Sequence, residues 1–341
     1  MPINRRIFRN ELKSRQRLLV KDASAVYHVM SRTACQAFLF NAEAKEVFKS
    51  LIRKQADFSG LEILTFCIMD NHFHLLIRVP APSKLSHEAL LERYKGYYGV
   101  SNTPQSTYSV TELREALEGD EATIAYERVS NRMGNLPAFI RELKQRFSIW
   151  YNNKHSNQGT IWSARYKSLL VEDSAESLTK VAAYIDLNPV RADIVSDPQD
   201  YRWCGYAEAV AGIQIAKDGI KSLFHSLRDA RESIKSYRLV LFGKGYESKG
   251  NTNKDFGRIS EQRVKQIEKN SGDFSLQEIL RARVRYFSDG MALGSQEFIE
   301  SSFNENRSLF GKNRRQGGHK IKGSSWGELC VIRNLRKRIY S

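Results

Sequence analysis

"CIMDNHFHLLIRV", residues 67–79, is the stretch on which the fold turns. Two apolar runs, "LEILTFCIM" and "HFHLLIRV", flank the turn residues Asp70 and Asn71, and together they read as two antiparallel strands of a hairpin. Successive side chains of a strand alternate faces, so His72 and His74 project one way and Phe73 the other. Two imidazoles on one face can hold one cation, or can simply lie at the edge of a sheet. His-x-His by itself does not separate these readings.

Working outward, "SAVYHVMSR" (24–32) mixes β-branched and aromatic residues and predicts a preceding strand. "NAEAKEVFKSLIRKQADFSG" (41–60) starts on a capping asparagine, spaces Val47, Phe48, Leu51 and Ile52 helically, and stops at Gly60. A second helical region is interrupted by the polar "GVSNTPQSTYSVTEL" (99–113) and resumes in "LPAFIRELKQRFSIWYNNKH" (136–155). "GTIWSARYKSLLVE" (159–172) reads as a strand pair or hairpin, and "SAESLTKVAAYIDLN" (174–188) as a further helix. The order strand, helix, hairpin, helix, strand, helix predicts an α+β fold, a ferredoxin-like βαββαβ sandwich with one added helix.

The chain has 341 residues and 41% hydrophobic content, enough for packed cores. No apolar run approaches the ~18 residues of a membrane span, and the basic start lacks the apolar core of a signal peptide, so a cytoplasmic location is expected. Cys35, Cys67, Cys204 and Cys330 form no Cys-x-x-Cys pair, which argues against zinc ribbons and a disulfide framework. The net charge of +16 makes a polyanion the leading partner.

The expected organisation is a first domain over 1–209, connecting sequence over 210–258, and a basic helical region over 259–341. Within the last, "SEQRVKQIEKN", "SLQEILRARVRYF" and "SQEFIESSFNE" pattern as helices. The "SDGMALG" between the last two suits the turn of a helix-turn-helix. The tail from 312 to 338 includes Arg314, Arg315, Arg336, Lys337 and Arg338 against the single acid Glu328. It reads as a phosphate-contacting arm, or else as a solvated basic extension.

On the helix 174–188 the apolar stripe runs through Leu178, Val181, Ala182 and Ile185. Tyr184 lies off it, on a flank shared with Ser177, Lys180 and Asn188, where core filling explains a tyrosine poorly. Asn188 lies one turn on, and Pro189 marks it as the expected last helical residue.

With His-x-His after a tight turn, the block "IWSARYKS", and "YIDLNPVRADIV" followed by "DPQDYRWCGY", residues 20–207 resemble the REP-associated tyrosine transposases of the HUH single-tyrosine superfamily. The Tyr-x-x-x-Asn-Pro-Val-Arg-Ala segment is the specific part of that resemblance. The C-terminal "VRYFSDGMALGSQEFIE" resembles an extension of longer members, which implies a helix-turn-helix DNA-binding module. The resemblance implies that His72 and His74 bind a divalent metal, Mg²⁺ or Mn²⁺, and that Tyr184 is the nucleophile. Asn188 stands where related chains carry a glutamine as third ligand. A metal-dependent endonuclease and strand transferase acting beside hairpin or palindromic single-stranded DNA is the implied activity. A homodimer is a further implied possibility, leaving open whether Tyr184 serves its own histidine pair or a partner's.

Such chemistry needs little else: a tyrosine with a pKa near 10 attacks a phosphate only when that phosphate is polarised and positioned. Tyr166 competes as nucleophile, although a strand tyrosine beside Arg165 more commonly packs. Arg165 and Lys167 suit phosphate contacts. Arg141, Lys144 and Arg146 read equally as a solvated helix face, and Trp162 and Trp203 as core anchors rather than base-stacking platforms. His28, His87, His155, His225 and His319 have no motif context. Two rival functions use the same fold, a domesticated hairpin-binding protein with little turnover and an RNA-binding protein; the aromatic RNA-binding strand signature is absent.

Overall fold

The computed structural model describes residues 17–99, 106–227, 229–242, 285–321 and 327–333. Strand β1 (Ala25–Arg32) leads to helix α1 (Ala42–Ser59), β2 (Glu62–Ile68) and β3 (His72–Val79). Helices α2 (His87–Tyr98), α3 (Val110–Glu118) and α4 (Ala122–Ser130) then form a satellite around Phe58, Leu90, Tyr94, Leu113 and Val129. The main fold resumes with α5 (Leu136–His155), β4 (Lys167–Val171), α6 (Ala175–Asp186) and the single turn α7 (Asn188–Arg191). After α8 (Gly205–Val210), α9 (Gln214–Lys221) and α10 (Ala230–Phe242) come α11 (Arg285–Asp289), β5 (Gly290–Gly294), α12 (Gln296–Glu305), β6 (His319–Lys320) and β7 (Cys330–Arg333).

Local chemistry sets the long helices as expected. The Asn41 side chain accepts from the Ala44 amide at the start of α1, and Gly60 ends it in the left-handed conformation with φ 65°. Asn135 caps α5 in the same way, through the Ala138 amide.

Among the described residues, seven strands form one sheet in the order β2-β3-β1-β4-β5-β7-β6. β1 lies antiparallel between β3 and β4, and β2 runs antiparallel outside β3. The first four strands with α1 and α5 are the expected ferredoxin-like unit. One face of this sheet packs Tyr27, Val29, Phe66, Phe73 and Leu75 against Phe48, Phe139 and Phe147 of α1 and α5. The other packs Val26, Cys67, Leu76 and Leu169 against α6, α9 and α10. Gly219 of α9 crosses β2 at its bulge so closely that a Cβ there would sit 2.5 Å from the Leu64 carbonyl oxygen.

Four expectations need correction. The segment 159–172 supplies one strand, not a pair: residues before it make a single bridge, Thr33 to Trp162, and the strand begins at Lys167. Trp162 donates its indole N–H to Lys144 O at 3.1 Å and Ser148 Oγ at 2.9 Å, the anchoring role expected of it. Helix α6 ends at Asp186, and Asn188 opens a separate turn with Pro189 in its first positions, where a missing amide hydrogen costs nothing.

The largest correction concerns "SDGMALG". Residues 290–294 are no helix-turn-helix turn but strand β5, parallel to β4 through Leu170–Ala292 and Val171–Leu293 and antiparallel to β7. Without it the edge of β4 would leave a row of unpaired amides and carbonyls, and Ala292 and Leu293 are fully buried in their strand positions. "SQEFIESSFNE" is a helix, α12, capped by Ser295. "SEQRVKQIEKN" and the first ten residues of "SLQEILRARVRYF" lie outside the described residues. Residues 214–221 and 230–242, expected as connecting sequence, form α9 and α10, which contribute Ala216, Ile220, Tyr237 and Leu241 to the core. Among the described residues no helix is long and apolar enough to cross a membrane.

Candidate active site

The turn before β3 is tied from three sides. Lys45 Nζ lies 2.5 Å from Asp70 Oδ1, Phe40 N donates to Asp70 O at 2.9 Å, and Thr33 N donates to Asn71 O at 3.0 Å. Asn71 then orients the first histidine. Its Nδ2 donates to Gln36 O at 3.2 Å, so its Oδ1 is the atom that faces His72 Nδ1 at 2.7 Å. An amide oxygen only accepts, so His72 carries a proton on Nδ1, and in its neutral form it keeps its lone pair on Nε2.

Alternation along β3 works as read from the sequence. Phe73 enters the α1/α5 face beside Phe48, with ring centroids 4.8 Å apart, while the His72 and His74 rings stand together on the other side at 5.1 Å. His74 is 2% exposed. Its pKa is driven well below the ordinary histidine value, first by burial and then by His28 and His72 nearby.

Tyr184 meets this pair from α6. Its ring centroid lies 6.0 Å from that of His74, edge to face, and the phenol is 4% exposed. The tyrosine and the histidines therefore come together within one chain. The flank off the apolar stripe is covered rather than open: Arg191 of α7 lays its guanidinium over the Tyr184 ring at 4.1 Å and donates to Tyr184 O at 2.7 Å, and Phe287 of α11 packs at 4.9 Å. Asn188 donates Nδ2 to the Tyr184 and Ile185 carbonyls at 3.2 and 3.0 Å, which leaves its amide oxygen as the acceptor atom.

Tyr166, the competing tyrosine, points into the opposite core with Phe147 and Ile161, under the Arg17 guanidinium at 3.8 Å. The sheet separates it from the histidines. Of the basic residues singled out, Arg165 and Arg315 are exposed. Lys167 pairs with Asp289 at 2.9 Å. Arg314 folds back onto the Gln316, Gly317 and Arg333 carbonyls, holding its own loop. Arg336, Lys337 and Arg338 lie outside the described residues.

Two contributors escaped the sequence reading. His28 of β1, set aside for want of a motif, places Nε2 2.8 Å from His74 Nδ1 and Nδ1 2.9 Å from Phe287 O. The available signal was a histidine inside an otherwise apolar central strand. Arg191 was quoted within "NPVRA" but not singled out, and its position one turn beyond Tyr184 and Asn188 was the clue. Burial holds the His28 pKa down at about 4.

The donor set suits a divalent cation in part: the His72 and His74 imidazoles each have Nδ1 engaged by a protein partner, and the Asn188 side chain has its amide nitrogen engaged by the Tyr184 and Ile185 carbonyls, which leaves Nε2 and Oδ1 as the candidate donor atoms. Among the described residues no cluster of three or more His, Cys, Asp or Glu side chains could hold a metal.

Residues 21–108 match the family model described as IS200-like transposase. His72 and His74 fall inside that match and Tyr184 beyond it. Over residues 21–108 that match agrees with the transposase resemblance drawn from the sequence motifs. No curated protein matches. Among solved structures, that of a REP-associated tyrosine transposase bound to a REP hairpin aligns over 59% of this chain and 87% of that one, at 13% identity and a TM-score of 0.38. A candidate transposase from Deinococcus radiodurans aligns over 46% of this chain and 84% of its own, at 17% identity and a TM-score of 0.25.

Proposed function

We propose that this chain, whose residues 21–108 match an IS200-like transposase family model, cuts and rejoins single-stranded DNA beside a hairpin or palindromic element with Tyr184 as nucleophile. The observation that carries this is the meeting of Tyr184 with His74, from helix α6 and strand β3, on the polar side of the sheet. In the proposed step the Tyr184 oxygen attacks the scissile phosphorus and the bond to the 3′ oxygen breaks. Tyr184 loses its proton, the departing 3′ oxygen gains one, and the 5′ end is left as a phosphotyrosine. A free 3′-hydroxyl attacking that phosphorus reverses the step and joins a new strand, so no external energy source is required.

A divalent ion, Mg²⁺ or Mn²⁺, would supply polarisation of the scissile phosphate when bound. His72 and His74 would hold it through Nε2, with Asn188 as the proposed third donor through its amide oxygen. Arg191 holds the Tyr184 ring and backbone in place and sets a positive charge against the phenol as it ionises. With Tyr184 4% and His74 2% exposed, a phosphodiester reaches them only when the α11 cover over Tyr184 shifts. Arg165 and Arg315, both exposed, are the proposed phosphate contacts among the described basic residues, and the net charge of +16 supports a nucleic-acid partner.

A nicking assay on labelled single-stranded hairpin DNA with Mn²⁺ tests this reading. His72→Ala and His74→Ala are expected to abolish cleavage while hairpin binding stays within a few-fold, since binding rests on phosphate contacts. Cleavage at the wild-type rate in either variant would sink it.

A further inference from the structure

His28 joins the two ends of the described chain at the site. It sits on β1, diagonal to His74 across the β1–β3 pairing, in which Met30 opposes His74 and His28 opposes Leu76. Its ring stacks on His74 with centroids 5.1 Å apart, and edge-on to Tyr184 at 6.0 Å. Its two nitrogens are engaged by partners of different character: the carbonyl of Phe287 on α11, and Nδ1 of His74.

We infer that His28 is a positioning residue which, anchored by the Phe287 carbonyl, fixes the tautomer of His74 so that the Nε2 lone pair of His74 is presented to a divalent cation. The inference rests on the proposed metal-binding role of His72 and His74. Its logic is proton bookkeeping. A carbonyl oxygen can only accept, so the 2.9 Å contact requires the His28 proton on Nδ1. Neutral His28 then has only a lone pair at Nε2, so the 2.8 Å contact requires the proton on His74 Nδ1. His74 in turn is left with its lone pair on Nε2. Both rings are 2% exposed, an environment that favours the uncharged forms for which this chain of single protons holds. The turn residue Asn71 imposes the same tautomer on His72 from the opposite end of the pair.

The arrangement has the form of a buried outer-shell relay, in which a hydrogen-bond partner sets the orientation and basicity of a metal-binding imidazole. It also gives the C-terminal segment a part in the site: the relay ends on a backbone carbonyl of α11, the helix that covers Tyr184.

The test uses the full chain and two readouts other than turnover. In metal-free protein, two-bond ¹H–¹⁵N correlations of the histidine rings should show His28 and His74 both protonated on Nδ1. His74 protonated on Nε2 would overturn the inference whatever the variants do. Mn²⁺ affinity, followed by the EPR signal of the free ion, should fall about 10- to 100-fold in His28→Leu, the range typical of lost outer-shell partners. It should recover to within a few-fold of wild type in His28→Gln, whose amide can accept from His74 and donate to Phe287. If His28→Leu binds Mn²⁺ like wild type while His74→Ala does not, the relay fails and the metal site stands. If His74→Ala and His72→Ala also bind like wild type, the metal reading itself fails. Should His28→Leu not fold, His28→Gln and the tautomer measurement decide, and a tenfold loss in a folded His28→Gln with His74 on the Nε2 tautomer counts against the relay.

Discussion

The two faces of the central sheet are built from the same strands and differ in what they bury. Toward α1 and α5 the face is dry: Phe40, Phe48, Phe73 and Phe147 stack with ring centroids 4.7 to 5.2 Å apart, and Tyr166 is buried among them. Toward α6 and α10 the same sheet buries His28, His74 and Asp186, each at most 2% exposed. Every one of these polar groups has protein partners. Asp186 receives the Tyr237 hydroxyl at 2.6 Å, the Thr65 hydroxyl at 2.9 Å and the Tyr206 amide at 3.3 Å. Burying such groups costs several kcal/mol unless their hydrogen bonds are made, and a face that serves only for packing has no use for them. The proposed chemistry is assigned to the polar face, and of the two candidate tyrosines the one on that face is Tyr184.

The sharpest break of this contrast is the pair Tyr184→Phe and Tyr166→Phe. Each removes one hydroxyl. With Mn²⁺ and a 3′-labelled single strand, wild type should carry label covalently through denaturation, Tyr184→Phe should lose all of it, and Tyr166→Phe should keep it. An adduct that survives in Tyr184→Phe and vanishes in Tyr166→Phe would move the chemistry to the dry face.

The dry face should answer in stability instead. Phe48→Ala leaves a cavity among the rings of Phe40, Phe73, Phe147 and Trp162, and urea denaturation should read a loss of about 3–5 kcal/mol. A loss below about 1 kcal/mol would mean that this face is not the close-packed one.

A smaller, pH-dependent effect belongs to Asp186. Burial, opposed by its hydrogen bonds, lifts its pKa from 3.8 to about 7. An acid that binds its proton more tightly when folded stabilises the fold at low pH. That contribution is complete below pH ~4 and lost as pH rises through about 7. Relative to Asp186→Asn, wild type should lose melting temperature across that window and change little above it. Parallel curves for the two proteins would show that the carboxyl is ionised throughout.

The smallest effect is expected outside both faces. Arg165→Ala should lower hairpin affinity modestly and reduce the slope of log affinity against log salt by about one, with cleavage of bound DNA unchanged. An unchanged slope would remove Arg165 from the interface.

What the amino-acid sequence determined by itself is local. The bounds of α1 follow from Asn41 and Gly60, and α5 runs over the stretch 136–155 that its periodicity marked. The turn at Asp70 and Asn71, and the alternation that sends Phe73 one way and His72 and His74 the other, follow from strand geometry within a dozen residues. Tyr184 stood out because helical spacing placed it off its own apolar stripe. Tertiary structure decided the rest, because it depends on pairing between distant segments. "GMALG" between two glycines has no period that separates turn from strand, and it became β5 because the edge of β4 needed a partner. His28 looked like any strand histidine until β1 paired with β3 and α11 set the Phe287 carbonyl against it. Arg191 gained its role from the break at Leu187–Asn188, which turns α7 back over the Tyr184 ring. A hydrogen bond is specific in distance and direction, and those are properties of where backbones meet, so the tautomers of the histidine pair became legible only in the folded chain.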